Sequence, residues 1–190
     1  MTPQPFKYVF GPVPSRRLGR SLGVDLVPFK TCTYNCVYCQ LGRTTCQTAT
    51  RKEYVPLGEV ADEVRRRLET EPAPDYVTLS GSGEPTLHSR IGEVIAALKG
   101  MTRTPVAVLT NGSLLHEPDV QEALSQADVV LPSLDAGDPW VFDYVNRPHP
   151  DIAFEAMAGG LVKFRERFRT TMWLEVFLLD GVTSVEPEVR

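Results

Sequence analysis

The spacing of apolar residues changes period along this chain. Val60, Val64 and Leu68 recur four apart among Asp62, Glu63, Arg65, Arg66 and Arg67, which predicts an amphipathic helix over 59–70. Glu71-Pro72-Ala73-Pro74 stops it. Short, continuous apolar runs then predict strands at Tyr76-Val77-Thr78-Leu79, Val106-Ala107-Val108-Leu109 and Val129-Val130-Leu131, the last ending at Leu134-Asp135-Ala136. Between them, Ile91, Val94, Ile95 and Leu98 mark a helix closed by Lys99-Gly100 as a C-cap, and Pro118 to Gln126 marks a shorter one. Asp151 can N-cap a long helix bearing Ile152, Ala156, Gly160, Leu161, Phe164 and Phe168 on one face, and Met172 to Leu179 forms the last strand. With Ser21 to Leu26 as the first strand, five strands alternate with four helices. Apolar strands each followed by a helix imply a parallel sheet buried on both faces. Right-handed crossovers curl it toward a barrel or a doubly wound layer, so the fold class is α/β. Either architecture places a site at the C-terminal ends of the strands.

Ahead of this core the chain is punctuated by Pro3, Pro5, Pro12 and Pro14. Lys7 to Phe10 suits a short strand, and 11–20 reads as an ordered loop. The expected organisation is an N-terminal extension over 1–20 and one core over 21–190.

The strand ends carry the candidate chemistry. The first leads into Cys32-Thr33-Tyr34-Asn35-Cys36-Val37-Tyr38-Cys39, which holds three of the four cysteines in eight residues. Thiolates select zinc or iron–sulfur clusters. Three on one loop can fill three corners of a cubane cluster and leave one iron open. Zinc, with Cys46 as fourth ligand, is the alternative. The second strand leads to Gly81-Ser82-Gly83-Glu84-Pro85, where glycines allow close backbone approach and Glu84 offers an anion to an ammonium. The third ends at Thr110-Asn111-Gly112 and the fourth at Ser133 and Asp135, which suits either a ligand hydroxyl or a cap. Glu175, in the apolar fifth strand, needs a partner: a cofactor, a substrate or an arginine. His88, His116 and His149 read as surface turn residues, and Arg147 as a weakly supported anion contact.

The C-x3-C-x2-C spacing with Tyr38 before the last cysteine resembles the signature of the radical S-adenosylmethionine (SAM) superfamily. Gly81 to Pro85 resembles that family's Gly-Gly-Glu-Pro motif, with Ser82 or Gly83 at its second glycine, and Thr110-Asn111-Gly112 has a counterpart there too. Within the superfamily, 11–25 and 31–40 resemble a prokaryotic group of iron–sulfur oxidoreductases similar to the tRNA wyosine-synthesis enzymes. The resemblance implies a partial (β/α) barrel of parallel strands. It implies a [4Fe–4S] cluster on Cys32, Cys36 and Cys39, with SAM on the open iron. Contacts to SAM would come from Tyr38, Gly81, Ser82, Gly83, Glu84, Asn111 and Asp135. The implied reaction is reductive cleavage of SAM to a 5′-deoxyadenosyl radical, which abstracts hydrogen from a substrate. A tRNA-modifying enzyme and a non-catalytic metal-binding protein remain the alternatives. Family cores usually have six βα units, whereas this sequence ends after the fifth strand, an expected truncation.

Charge adds one distinction. Residues 1–52 carry eight basic side chains against Asp25 alone, whereas 53–190 carry 12 basic and 23 acidic ones. A basic cysteine-bearing quarter suits docking of an acidic donor of the reduced flavodoxin or ferredoxin type, and also suits RNA. No apolar run reaches a membrane span, and the N-terminus lacks a signal-peptide core, so a cytoplasmic location without a membrane partner is expected.

Overall fold

The computed structural model describes residues 6–70 and 73–186. Pro3, Pro5, the Glu71-Pro72 part of the helix stop and residues 187–190 lie outside them. Six strands form the main sheet: β1 (Val9–Ser15), β2 (Gly19–Val24), β5 (Tyr76–Leu79), β6 (Val106–Thr110), β7 (Val129–Pro132) and β8 (Thr171–Met172), side by side in that order. A small parallel pair, β3 (Thr31–Cys32) and β4 (Cys46–Gln47), frames the cysteine loop. The helices are α1 (Leu57–Leu68), α2 (Ile91–Met101), α3 (Pro118–Leu124), α4 (Pro139–Val145) and α5 (Phe154–Arg167). From β2 onward every neighbouring pair in the sheet is parallel, as a partial (β/α) barrel requires.

The central strands β5, β6 and β7 are largely apolar because both faces are buried, whereas β1 is mostly exposed. Val106, Val108 and Val130 pack with helix residues such as Val60, Ile95, Leu124 and Phe164 in the larger core. Ala107, Val129 and Leu131 point the other way, where Leu18 covers them. Leu18 sits in the turn joining β1 to β2. The expected boundary at residue 20 therefore falls inside an antiparallel hairpin, not between an extension and a core. The segment read as a loop is largely strand. Its prolines misled because Pro12 lies where the register breaks, between Phe10 and Val13, and β1 is an edge strand that needs few of its N–H groups.

Four other expectations change. Gly100 lies inside α2, which runs to Met101 before Thr102 caps it. Asp151 caps nothing; α5 starts at Phe154 after Ala153, which makes no side-chain cap. α4 was not expected, although Asp138 accepts the N–H groups of Trp140 and Val141 at 2.7 and 2.9 Å and Pro139 opens the helix. The fifth strand is reduced to two residues, with ladder contacts continuing to Glu175, whose N–H donates to Pro132 O at 2.9 Å. Among the described residues nothing covers its outer side, so Trp173, Leu174, Val176, Phe177 and Leu178 are exposed.

Candidate active site

The loop after β2 and the turn after β5 are stitched together. Asp25 accepts the Ser82 N–H at 2.5 Å and its hydroxyl at 2.7 Å. Ser82 O in turn accepts the Lys30 N–H at 2.7 Å, and the Glu84 N–H donates to Thr31 O at 3.1 Å. The glycines permit this approach: a Cβ on Gly83 would overlap the Thr31 carbonyl, and Gly81, at φ +140°, lies against the Asp25 carboxylate. The cysteine loop is thereby pressed onto the Gly-Glu-Pro turn.

Between them is a cavity of about 270 Å³. Cys32, Cys36 and Cys39 line it together with Gly81, Ser82, Gly83, Glu84, Thr110 and Asn111. Cys46 is exposed and lies outside it, and all four cysteines are free of disulfides. Among the described residues no three His, Cys, Asp or Glu side chains are grouped to hold a metal ion. Zinc needs all its sulfur ligands within about 2.3 Å of one point, whereas a cubane takes each cysteine on a different iron. The shared wall of three cysteines suits the latter. Burial pushes the Cys32 thiol up to about 12, helped by the Glu84 charge, and the Cys36 thiol up to about 11.

Glu84 forms the floor. Its Oε1 accepts from the Thr86 N–H at 3.0 Å, the Thr86 hydroxyl at 2.6 Å and the Thr110 hydroxyl at 2.7 Å. Among the described residues its Oε2 accepts only the Asn111 N–H, at 2.7 Å, which leaves that oxygen with acceptor capacity for a further donor. Burial raises its pKa against these bonds.

Tyr38 and Asp135 are brought together, but to each other. The Tyr38 hydroxyl donates to Asp135 Oδ2, and its ring stacks on Phe177 at 4.1 Å between centroids. Asp135 also accepts from Asn146 Nδ2 at 2.9 Å and from the Phe177 N–H at 3.0 Å. The partner of Glu175 is Arg17, which reaches it from the β1–β2 turn. Arg147 adopts φ +47° and offers its carbonyl to Asn35 and Gln47, not its guanidinium to the cavity. His88 is fully buried, its Nε2 paired with Val55 O at 2.9 Å, which corrects its reading as a surface residue.

Three site residues escaped the sequence. Lys30 is buried at the cavity wall, at φ +64°, with its ammonium on Gly42 O. The excess of basic residues in this quarter was the available signal. Asn146 approaches Cys36 from 110 residues away, and no sequence signal marked it. The hydroxyl of Tyr34, itself 2% exposed, is buried at the cavity wall with no hydrogen-bond partner among the described residues. Leaving such a group unpaired costs about 1–3 kcal/mol.

The arrangement defines a class: a parallel α/β core with three cysteines at the end of its first parallel strand, facing a Gly-Glu-Pro turn. The family model described as "Radical SAM superfamily" matches residues 26–189, and the chain belongs to that superfamily. Members carry a [4Fe–4S] cluster and SAM. Among particular relatives, an UPF0026 protein of Methanocaldococcus jannaschii is 35% identical over 95% of this chain and 56% of its own length. A Brachyspira hyodysenteriae protein named GTPase Obg is 43% identical over 96% of this chain but only 27% of its own length. The chain thus spans between a quarter and three-fifths of these two relatives. Among solved structures, TYW1 with a lysine–pyruvate adduct bound superposes with a TM-score of 0.62 at 18% identity, covering 86% of this chain and 57% of that one, which is a likeness of fold.

Proposed function

We propose that this chain is the core of a radical SAM enzyme in which Cys32, Cys36 and Cys39 each ligate one iron of a [4Fe–4S] cluster. SAM lies in the adjoining cavity. The observation that supports this most is the single cavity shared by the three cysteines, the Gly81 to Glu84 turn and Asn111. The bound pair supplies one-electron cleavage of SAM to methionine and a 5′-deoxyadenosyl radical, used to abstract hydrogen from a substrate. The chain's own groups bind and shield. Cys32 and Cys36, whose thiols burial favours in the metal-free fold, would have to give up their protons to ligate iron. Gly81, Ser82 and Gly83 would edge the amino end of SAM, and Glu84 would attract it through Oε2, which has one partner among the described residues. Tyr38, which lies outside the cavity lining and stacks on Phe177, would flank the adenine. Asp135 acts through Tyr38, because Tyr38, Asn146 and the Phe177 N–H already engage it.

The donor that suits the basic N-terminal quarter is an acidic protein of the reduced flavodoxin or ferredoxin type. Four free cysteines suit a reducing, cytoplasmic compartment, and no described helix is long and apolar enough to cross a membrane. The same basic quarter favours a second reading, modification of tRNA, for which salt-sensitive RNA binding is the check. For the main reading, the chain is reconstituted anoxically with iron and sulfide, reduced and given SAM. An iron-dependent visible chromophore and 5′-deoxyadenosine are expected. A zinc-filled tetrahedral site with no such chromophore would overturn it.

A further inference from the structure

The sequence contains three asparagines, Asn35, Asn111 and Asn146. Two of them direct an amide N–H at a cysteine sulfur of the site. Asn111 Nδ2 lies 3.5 Å from Cys32 Sγ, and Asn146 Nδ2 lies 3.5 Å from Cys36 Sγ. They come from separate parts of the fold: Asn111 follows β6 and Asn146 caps the C-terminal end of α4. Two unrelated elements therefore present the same group to two neighbouring ligands.

The amide orientations follow from their neighbours. Asn111 Oδ1 accepts the Ser113 N–H at 3.0 Å, which turns its NH₂ toward Thr33 Oγ1, at 2.7 Å, and toward Cys32. Asn146 Nδ2 donates to Asp135 Oδ2 at 2.9 Å, and a carboxylate oxygen only accepts. Flipping either amide would set oxygen against an acceptor or N–H against a donor. Asn146 is only 2% exposed, so its amide is held by these bonds and not by water. Asn35 differs: its Oδ1 accepts the Thr44 N–H at 2.9 Å and braces the cysteine loop.

We infer that Asn111 and Asn146 are positioning residues that set the reduction potential of the cluster through N–H···S bonds to Cys32 and Cys36. The inference rests on the cluster reading above. Potentials of iron–sulfur clusters depend on hydrogen bonds to the sulfurs, alongside charge and solvent exposure. Reduction increases negative charge on the cysteinyl sulfurs, so an N–H donor stabilises the reduced cluster more than the oxidised one. Removing a donor shifts the potential to more negative values.

The test uses the reconstituted full chain with N111L, N146L and the double variant. Leucine keeps the approximate volume and removes the donor, and the Asn111 backbone N–H to Glu84 is untouched by it. Redox titration followed by electron paramagnetic resonance should show each single variant more negative than wild type, and the double variant more negative still. A second measurement needs no variant. Wild-type protein labelled only with ¹⁵N-asparagine carries three labelled residues, and pulsed resonance of its reduced cluster should show amide ¹⁵N hyperfine couplings. Iron-replete variants with unchanged potentials, or wild-type protein without ¹⁵N coupling, would overturn the inference alone. A wild-type chain that assembles no cluster would overturn the reading beneath it as well.

Discussion

The two edges of the sheet are built differently. At one, β1 pairs with β2 from Val9↔Val24 to Ser15↔Gly19, and the turn between them returns Leu18 to the sheet interior. At the other, β8 is two residues long, and Trp173, Leu174, Val176 and Leu178 behind it face solvent. The cysteine loop is stitched to the β5 turn by backbone and carboxylate bonds, close to the closed edge. The open edge contributes Glu175 and the Phe177 ring, the latter resting on Tyr38. The cysteine loop is also braced by the end of α4, whose Val145 and Asn146 carbonyls accept the Val37 and Asn35 N–H groups, whereas the far wall presents exposed apolar side chains. The difference separates ligand loading, which should depend on the first region alone, from closure of the cavity over SAM.

The largest effect belongs to the cysteines. Cys32→Ala, Cys36→Ala and Cys39→Ala should each abolish the iron-dependent chromophore, and Cys46→Ala should leave it intact. Loss of iron in the Cys46 variant would restore the zinc alternative and remove the contrast. Next is Gly83→Ala, which forces a methyl group into the Thr31 carbonyl. Overpacking of this kind costs about 3 kcal/mol. A lowered thermal midpoint together with lost iron uptake should result, and a fully stable variant would show that the loop and turn are not locked.

The thiols give an intermediate, pH-dependent effect. An ordinary thiol titrates near about 8.5. Burial lifts Cys36 to about 11 and Cys32 to about 12 in the metal-free fold. Above pH of about 8.5 the unfolded chain sheds thiol protons that the folded chain keeps, so stability falls as pH rises toward these folded values. Urea midpoints of the metal-free chain should drop between neutral and alkaline pH, and Cys32→Ser with Cys36→Ser should flatten the drop. An unchanged slope in that double variant would contradict the buried-thiol account. The smallest effect is expected at the open edge, where Leu174→Lys and Leu178→Lys should change stability by no more than about 0.5 kcal/mol. Their iron loading should equal wild type. If they lost iron, the two regions would be one unit after all.

Much of this was legible from residue pattern. Continuous apolar runs announced strands buried on both faces, and β5, β6 and β7 are that. The glycines at 81 and 83 were read as allowing close approach to a ligand, whereas the groups pressed against them are the chain's own Asp25 carboxylate and Thr31 carbonyl. What stayed hidden was set by long-range neighbours. Pro12 and Pro14 signalled a loop because edge-strand status cannot be seen locally. His88 resembled a surface turn residue until Val55 O was placed against its ring. Asp135 was read as a ligand or cap residue, whereas two of its partners, Tyr38 and the Phe177 N–H, come from 97 and 42 residues away. The run from Trp173 to Leu178 satisfied every local criterion for a buried strand, but burial depends on a covering layer, and none lies over it among the described residues.

The central claim is that the cavity beside Cys32, Cys36 and Cys39 seats SAM against the cluster. The direct test is electron–nuclear double resonance of the reduced, reconstituted chain with SAM carrying ¹⁵N in its methionine amino group. The account predicts a ¹⁵N coupling strong enough to place that nitrogen on iron, absent without SAM. A well-formed cluster whose resonance is unchanged by saturating labelled SAM would contradict it.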